Sequence, residues 1–527
     1  MKTGIAVALL CTASAVFAQM PEHHHDAEPA GFGKVSFPIS CAAGTQEAFT
    51  KAVAQLHSFA YEDAETAFNA IAARDPKCGI AWWGVAMTNY HPVWPSPYSP
   101  AELKRGITAA KNAEAAGATT PRERAYIDAI ATFYRDADKL DLNTRARAYE
   151  AKTVALTAQY PDDDEAAIFY GLSLVAHGMS MPTDKTYTYQ KKAAAIFNGL
   201  LAKHPDHPGI AHYLIHSFDY PALAPLALNA AYAYSKIAPA APHALHMPSH
   251  IFVRLGMWDE TIASNLRSAA AANAHAAQLH PGTTPFDALH AYDYLTYAYL
   301  QRGEDEKVHK LVDELSALKA LEVENFAGYY ALAAIPARYA VERHRWSEAA
   351  ALTVPAGFPW ERYAYAEAMT YFARALGAAR SGHPEQAKSD VERLAALRQK
   401  LLDQHNTYWA DQVDVQRRAS QAWIAWTEGH HDDALNAMRS AADLEDSMDK
   451  SPVTPGAIVP AREMLGEMLL DGNRPADALE AFERSLTESP NRLNALTGAA
   501  RAAQLSGNRT KAASYYGRVA ELLGPAH

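Results

Sequence analysis

The stretch VPAREMLGEMLLDGNRPADALEAFERSLTESP, residues 459–490, shows how this chain is organised. The stretch LNALTGAARAAQLSGNRTKAASYYGRVAELL, residues 493–523, repeats its pattern. Three pairs of residues share a spacing of 34: Gly466 with Ala500, Ala478 with Ala512, and Phe482 with Tyr516. Each stretch has two apolar segments separated by a polar turn, which predicts a pair of helices. The small residues allow the paired helices to pack closely, and the aromatic ring fills the space between units.

The same theme occurs near the N-terminus, in YEDAETAFNAIAARDPKCGIAWWGVAM at residues 61–87. A 34-residue unit of two helices resembles the tetratricopeptide repeat. Alternating β-branched runs and hairpin turn pairs are nearly absent, so we expect little strand. The resemblance implies an all-α, right-handed superhelical solenoid of helix-turn-helix repeats, with a concave groove.

Composition and pattern divide the chain into six parts. They are a signal peptide (1–18), a disordered leader (19–44), N-terminal repeats with insertions (45–205), histidine-rich repeats (206–321), degenerate repeats (322–449) and C-terminal repeats (450–527).

The first residues, MKTGIAVALLCTASAVFAQ, have the features of a secretory signal. Lys2 precedes an apolar run that is too short to span a bilayer, and small residues flank Phe17 where cleavage takes place. No later segment is long and apolar enough to be transmembrane. We therefore expect a secreted or periplasmic protein. After cleavage, Cys41 and Cys78 are the remaining cysteines, and in an oxidising compartment we expect them to form a disulfide.

Charge and motif content exclude several function classes. The 527 residues carry a net charge of −11, which disfavours a phosphate-binding surface, so no nucleic-acid partner is expected. The chain has no glycine-rich phosphate loop, no GxSxG serine motif and no reactive-cysteine signature. The candidate site therefore has to come from another residue type.

Histidine is that residue type. The stretches AHYLIHSFDY (211–220) and APHALHMPSH (241–250) hold five of the 23 histidines of the chain. The spacing of 34 separates His212 from His246 and also His216 from His250. Because the two histidines of each stretch are four positions apart, they lie on one face of a helix.

The following unit extends this pattern, although an insertion precedes it. With its turn at Gly303, it begins near Leu289, so that His290 matches His243 and Asp293 matches the place of His212 and His246. In tetratricopeptide proteins the second, fifth, ninth, twelfth and thirteenth positions of a unit tend to line the groove. By this count the groove positions are His243 (second), His212 and His246 (fifth), His216 and His250 (ninth), Asp219 (twelfth), and His57 and His91 (thirteenth).

These residues predict a metal site. Pairs of histidines on two facing helices commonly chelate a cation, and neutral imidazole suits zinc, copper or iron. We expect His212, His216, His246 and His250 to form one site. We expect four residues around it as further ligands or hydrogen-bond partners: His243, His290, Asp219 and Asp293. The alternative is that repeats have copied a packing histidine without function, and Pro248 could disturb the helix that carries His243.

Two functions follow from this site. The first is an exported scaffold with a metal-organised groove that binds a peptide, a protein or a small ligand. The second is a metal-dependent hydrolase or oxidase that uses the same histidine and aspartate residues. A saturated four-histidine cage favours the scaffold, whereas an open coordination position favours the enzyme. The identity of the metal and the oligomeric state are left open by the sequence.

Overall fold

The computed structural model describes residues 31–93 and 98–524. The predicted signal peptide and residues 19–30 of the predicted leader lie outside this range. Within the described residues the regular structure is helical, and the only β pairing is an isolated bridge between Thr284 and Leu321. The expected all-α fold is therefore confirmed. None of the described helices combines the length and the apolar character needed to cross a membrane.

The helices follow one another in short-looped pairs. The N-terminal repeats contain α1 (Gln46–His57), α2 (Tyr61–Arg74), α3 (Gly79–Thr88), α4 (Pro100–Ala116), α5 (Pro121–Tyr134), α6 (Leu142–Gln159), α7 (Asp164–Met179) and α8 (Thr188–Leu201). The histidine-rich repeats contain α9 (Pro208–Phe218), α10 (Leu228–Ile237), α11 (Pro242–His246), α12 (Pro248–Leu255), α13 (Trp258–Leu279), α14 (Phe286–Gln301) and α15 (Asp305–Ser316).

The second half of the chain continues in the same way. It contains α16 (Phe326–Glu342), α17 (Trp346–Ala350), α18 (Ala364–Arg380), α19 (Pro384–Asp403), α20 (Thr407–Thr427), α21 (His431–Asp446), α22 (Ala461–Asp471), α23 (Pro475–Glu488), α24 (Leu493–Leu505) and α25 (Arg509–Leu523). Two short 3₁₀ helices cover Ala224–Ala227 and Trp360–Arg362.

The C-terminal repeats pack as their sequence predicts. Phe482 on α23 is 1% exposed. A Cβ atom added to Gly466 on α22 would lie 2.8 Å from its ring, and one added to Gly498 on α24 would lie 2.3 Å from it. Both distances are shorter than a carbon–carbon contact allows. The two glycines therefore let α22 and α24 approach the same phenyl ring from both sides.

The part of the predicted leader that the structure describes differs from a disordered chain. Residues 31–44 have no helix or strand, but they lie against the first repeats. Phe37 is 1% exposed and its ring centroid is 5.3 Å from that of Trp83. The predicted disulfide between Cys41 and Cys78 is confirmed and ties this stretch to the start of α3. Aromatic burial and the disulfide thus hold a segment whose polar composition gives no helix signal.

The two halves of the solenoid meet. The indole nitrogen of Trp258 donates to the carbonyl of Asn491 at 2.9 Å, and the amide of Leu493 donates to the side chain of Gln301 at 2.9 Å. Between them Arg492 is fully buried and pairs with Glu342 and Glu463. The C-terminal repeats therefore lie against the start of α13 and the end of α14.

Residues 448–460, which we call the central segment, run through the interior between these halves. The proline- and glycine-containing composition of residues 450–460 is typical of a linker, but Val453 is 3% exposed. Tyr294 donates to the carbonyls of Pro452 and Thr454 at 3.1 and 3.2 Å. Arg338 donates to the carbonyls of the residues that follow. Because helix side chains satisfy its backbone carbonyls, the segment is buried without forming secondary structure. It occupies space where the sequence predicts an open groove.

Candidate metal centre

Six of the predicted site residues are histidines on the first helices of three consecutive repeats. They are His212 and His216 on α9, His243 and His246 on α11, His250 on α12, and His290 on α14. Their exposed fractions lie between 0% and 4%. Met247 between α11 and α12 keeps helical backbone angles, so Pro248 removes a hydrogen bond without turning the chain. All six rings therefore point inward from one layer of helices.

The histidines form two groups of three. His212, His216 and His243 make the first triad, in which Nε2 of His212 lies 3.1 Å from Nε2 of each of the other two.

The second triad consists of His246, His250 and His290. Nε2 of His246 lies 3.0 Å from Nε2 of His250, and the ring centroids of His246 and His290 are 4.3 Å apart. In each triad the candidate ligand atoms all lie within 4.8 Å of one another.

This arrangement differs from the single four-histidine site that the sequence predicts. Each triad combines the fifth and ninth positions of one repeat with the second position of the next. The third ring of each triad therefore comes from the start of the neighbouring helix, which packs beside the pair. Residues at the same position of consecutive repeats, such as His212 and His246, are separated by a whole repeat and belong to different triads.

Hydrogen bonds to Nδ1 fix the tautomers of the second triad. Nδ1 of His246 is 2.6 Å from Oδ1 of Asn265, whose amide nitrogen donates to the carbonyl of Thr261. That donation fixes the amide orientation, so Oδ1 can only accept and the proton is on the histidine. Nδ1 of His250 donates to the carboxylate of Asp219 at 2.9 Å. In the neutral rings both Nε2 atoms then carry lone pairs, and these face each other at 3.0 Å.

The first triad has a similar arrangement. Nδ1 of His212 donates to the backbone carbonyl of His57 at 2.7 Å, so its Nε2 carries a lone pair. Two imidazole nitrogens approach this one lone pair, those of His216 and His243. A single lone pair accepts one strong hydrogen bond. The Nε2 atoms of His216 and His243 therefore converge on a single lone pair.

Burial keeps the six rings neutral. Burial lowers the pKa of His212 to about 3 and holds the pKa of the other five below the ordinary value. Neighbouring imidazoles lower the pKa of His216, His243 and His246 further. A lowered histidine pKa means that the protonated form is disfavoured at neutral pH. The lone pairs are therefore available to a metal ion.

Asp219 holds His250 in place from the side of the central segment. One of its oxygens accepts from Arg254 at 2.8 Å, and the Nζ atom of Lys450 is 3.3 Å from both oxygens. Burial alone would raise the pKa of Asp219, but Lys450 and Arg254 hold it below its ordinary value. The carboxylate is thus ionised and orients His250, in the way that outer-shell carboxylates orient metal-binding histidines.

The remaining predicted residues lie outside the two triads. Asp293 pairs with Arg338 at 3.4 Å, and burial raises its pKa to about 6. His57 contributes its carbonyl to His212, while its ring bonds to Glu165 and Tyr213. Nε2 of His91 lies 3.0 Å from the carbonyl of Thr88.

Sequence reasoning missed Asn265, Arg254 and Lys450. Asn265 lies on α13, the second helix of its repeat, which the groove positions do not include. Lys450 lies 231 residues after its partner Asp219, and no local signal in the sequence connects them.

The central segment lines a cavity of about 130 Å³. Arg254 and Lys450, the two partners of Asp219, lie in its wall. The wall also contains six aromatic residues: Tyr297, Tyr330, Tyr365, Phe372, Tyr408 and Trp409. Asp219 is therefore the residue that connects the cavity to His250.

The family comparison identifies the repeats. A model of the tetratricopeptide repeat matches residues 420–492 and 463–526. Residues 420–526 therefore consist of tetratricopeptide repeats. The matched residues contain α21 to α25 and the central segment, whereas the helices that carry the triads lie before them. No curated protein matches the chain.

Several solved structures are similar over most of the chain. The human IFIT1 dimer with m7Gppp-AAAA is 11% identical, covers 86% of this chain and 96% of its own, and has a TM-score of 0.35. The APC/C hetero-tetramer Cut9-Hcn1 is 12% identical, with coverages of 91% and 94% and a TM-score of 0.30. Yeast Tom70 is 13% identical, with coverages of 91% and 92% and a TM-score of 0.27.

Proposed function

We propose that this tetratricopeptide-repeat protein is an exported scaffold that binds transition-metal ions through its two histidine triads. The observation that carries the proposal is the pair of Nε2 atoms of His246 and His250, 3.0 Å apart. Both rings donate a hydrogen bond from Nδ1 to an acceptor, so their Nε2 lone pairs face each other. A cation between them turns this repulsion into attraction. Burial disfavours a proton in that role, and a metal ion supplies the charge instead.

The spacing of the nitrogens also supports a metal ion. Two histidine nitrogens at 2.0–2.1 Å from a tetrahedral ion lie about 3.3 Å apart. The Nε2 atoms of each triad are 3.0–3.1 Å apart where they approach most closely. For these closest pairs, ring movements of about 0.3 Å give the separation that such an ion requires. Imidazole donors without thiolates suit zinc, copper or iron.

The Nδ1 partners match those of established histidine ligands. A metal-binding histidine usually donates its second nitrogen to a carboxylate, a carbonyl or a similar acceptor, which fixes the ring. His250, His212 and His246 donate to a carboxylate, a backbone carbonyl and an amide oxygen, respectively. Three of the six rings are thus held with Nε2 pointing into their triad.

The disulfide and the signal-like start support export, since disulfides persist in oxidising compartments. Solenoids of this family present curved surfaces on which proteins and peptides bind. The net charge of −11 favours a peptide, protein or small ligand over a nucleic acid.

A second candidate function is a metal-dependent enzyme, either a hydrolase or an oxidase. Three histidines leave a tetrahedral ion with one open position, which catalytic sites use and structural sites do not. The aromatic cavity beside Asp219 offers a space for a small substrate. Azide added to the cobalt-loaded protein distinguishes the two functions. A change in the visible absorption indicates an open position and favours the enzyme, and an unchanged spectrum favours the scaffold.

The metal-binding proposal is tested by elemental analysis of protein purified without an affinity tag. We expect stoichiometric transition metal in the wild type and a lower metal content in the double variant His246→Ala/His250→Ala, in which the second triad is lost and the first is intact. His309→Ala is the matched control, because that side chain is 62% exposed and belongs to neither triad. Helix content by circular dichroism should be the same in all three proteins. A wild-type protein that retains no metal after incubation with zinc, copper and iron contradicts the proposal.

A further inference from the structure

The two triads are related by the repeat itself. His212 and His216 of the first triad correspond to His246 and His250 of the second, one repeat later. His243 is the second residue of α11 and His290 is the fifth residue of α14, and the inserted residues before α14 explain their larger separation. One pattern has therefore been placed twice, in neighbouring interfaces between first helices.

We propose, resting on the metal-binding function above, that the centre is dinuclear, with one late first-row transition-metal ion in each triad. Each triad needs a cation for its own reason. The second has two lone pairs facing each other, and the first has one lone pair approached by two nitrogens. An ion in one triad does not bring a cation to the nitrogens of the other.

One ion cannot serve all six rings. Metal–nitrogen bonds of about 2 Å restrict ligand atoms to a sphere roughly 4 Å across. The atoms of each triad come close to this size as they stand, since they lie within 4.8 Å of one another. By this distance the six rings divide into two groups of three, and each group is a ligand set of the size that one ion needs.

The contact between the two groups of rings places the two proposed ions side by side. Neighbouring helices pack about 8–10 Å apart, and both ions lie on the inner side of adjacent helices. The rings of His216 and His250 are neighbours across the boundary between the triads. Two paramagnetic ions that are no farther apart than neighbouring helices interact magnetically.

Copper(II) is the probe that tests the proposal, because imidazole sites bind it most tightly among the divalent first-row ions. Metal-free protein is titrated with copper(II), desalted and analysed for copper per chain. His243→Ala removes one ligand of the first triad and His290→Ala one ligand of the second. The double variant measures background binding elsewhere on the chain, and His309→Ala is the surface control.

Above background we expect two copper ions in the wild type and in His309→Ala, and one in each single-triad variant. Electron paramagnetic resonance should show a broadened or weakened signal with a half-field transition in the wild type. Each single variant should give the sharp spectrum of an isolated ion that accounts for all its copper. If an alanine variant loses helix content, the corresponding glutamine variant replaces it.

The failures are distinguishable. One copper in the wild type, lost in both single variants, overturns the dinuclear centre and leaves the metal-binding function standing. No copper above background overturns both. Two coppers with the spectrum of isolated ions overturn the side-by-side placement.

Discussion

The C-terminal repeats, α22 to α25, and the histidine-rich repeats, α9 to α14, share a helical-pair architecture, but different side chains fill their interiors. Between α22 and α24 the interior is apolar, with Phe482 seated between two glycines. Between α9 and α14 the corresponding interior holds six imidazoles with Asp219 and Asn265. The family model matches the first region, and the second lies outside its match. A regular repeat sequence therefore indicates apolar packing, and the candidate site lies where histidines replace the apolar packing residues.

The two interiors also differ in what stabilises them. Burying a phenyl ring is favourable by itself. Burying an imidazole costs free energy unless its nitrogens find partners. The C-terminal interior is thus complete as folded, whereas the histidine interior depends on its hydrogen bonds and, in our proposal, on bound ions. Four experiments break or sharpen this contrast.

The largest effect is expected from the apolar interior. Phe482→Ala should lower the free energy of unfolding by about 3–5 kcal/mol, because it removes a buried ring and leaves a cavity. Tyr516→Ala is the matched control, since Tyr516 occupies the same repeat position and is 43% exposed. Urea unfolding measures both. Equal losses in the two variants, or a change in metal stoichiometry in Phe482→Ala, would break the contrast.

The next effect concerns the N-terminal end, which is held covalently. Replacing Cys41 and Cys78 by serine should lower the free energy of unfolding by about 4 kcal/mol, because the disulfide closes a loop of 37 residues. Thermal unfolding of the double variant and of the reduced wild type should agree. Metal content should not change, since neither cysteine contacts a triad. A double variant as stable as the oxidised wild type would show that aromatic burial alone holds residues 31–44.

A smaller effect is expected beside the second triad. Asn265→Leu removes the acceptor that orients His246, and it should weaken metal binding by about 10- to 100-fold while the number of sites stays the same. Asn273→Leu is the control on the same helix, because its amide contacts Tyr292 and no triad histidine. Competition with a chelator measures the affinities. If both variants bind as the wild type does, Asn265 does not position the ring.

The smallest effect is local to the last repeat. The side chain of Asn508 accepts from the amide of Lys511 and caps α25. Asn508→Ala should lower the free energy of unfolding by about 1 kcal/mol, and Asn508→Asp should restore it. Urea unfolding of the three proteins tests this. A loss of metal in Asn508→Ala would contradict the separation of the two regions.

The fold was predictable because the 34-residue period is regular in the C-terminal repeats, where the helices pack closely. Gly466, Ala478 and Phe482 all recur with the spacing of 34, and such a recurrence has few structural solutions. The same period brought His212, His216, His246 and His250 onto one side of their helices, and the structure confirms that side as the interior. The predicted disulfide followed from composition alone.

The partition of the histidines was not predictable from the period. Counting by whole repeats pairs residues at the same repeat position. The contacts instead join His212 to His243, which lies on the first helix of the next repeat. Asp293 occupies a predicted site position and nevertheless pairs with Arg338, because α16 brings a guanidinium to it. Lys450 reaches Asp219 only because the solenoid folds back over itself. Such contacts depend on how far the superhelix closes, which no local pattern encodes.

The central segment also gives the proposed metal centre an order of assembly. All six histidines precede residue 302 in the chain, so both triads can form before residues 448–460 reach them. At that stage Asp219 has no contact with Lys450, and Tyr294 has no carbonyl partners. When the segment docks, Lys450 covers the carboxylate and the tyrosine is fixed. Ions are thus expected to enter during folding and, once enclosed, to exchange only as fast as that segment detaches.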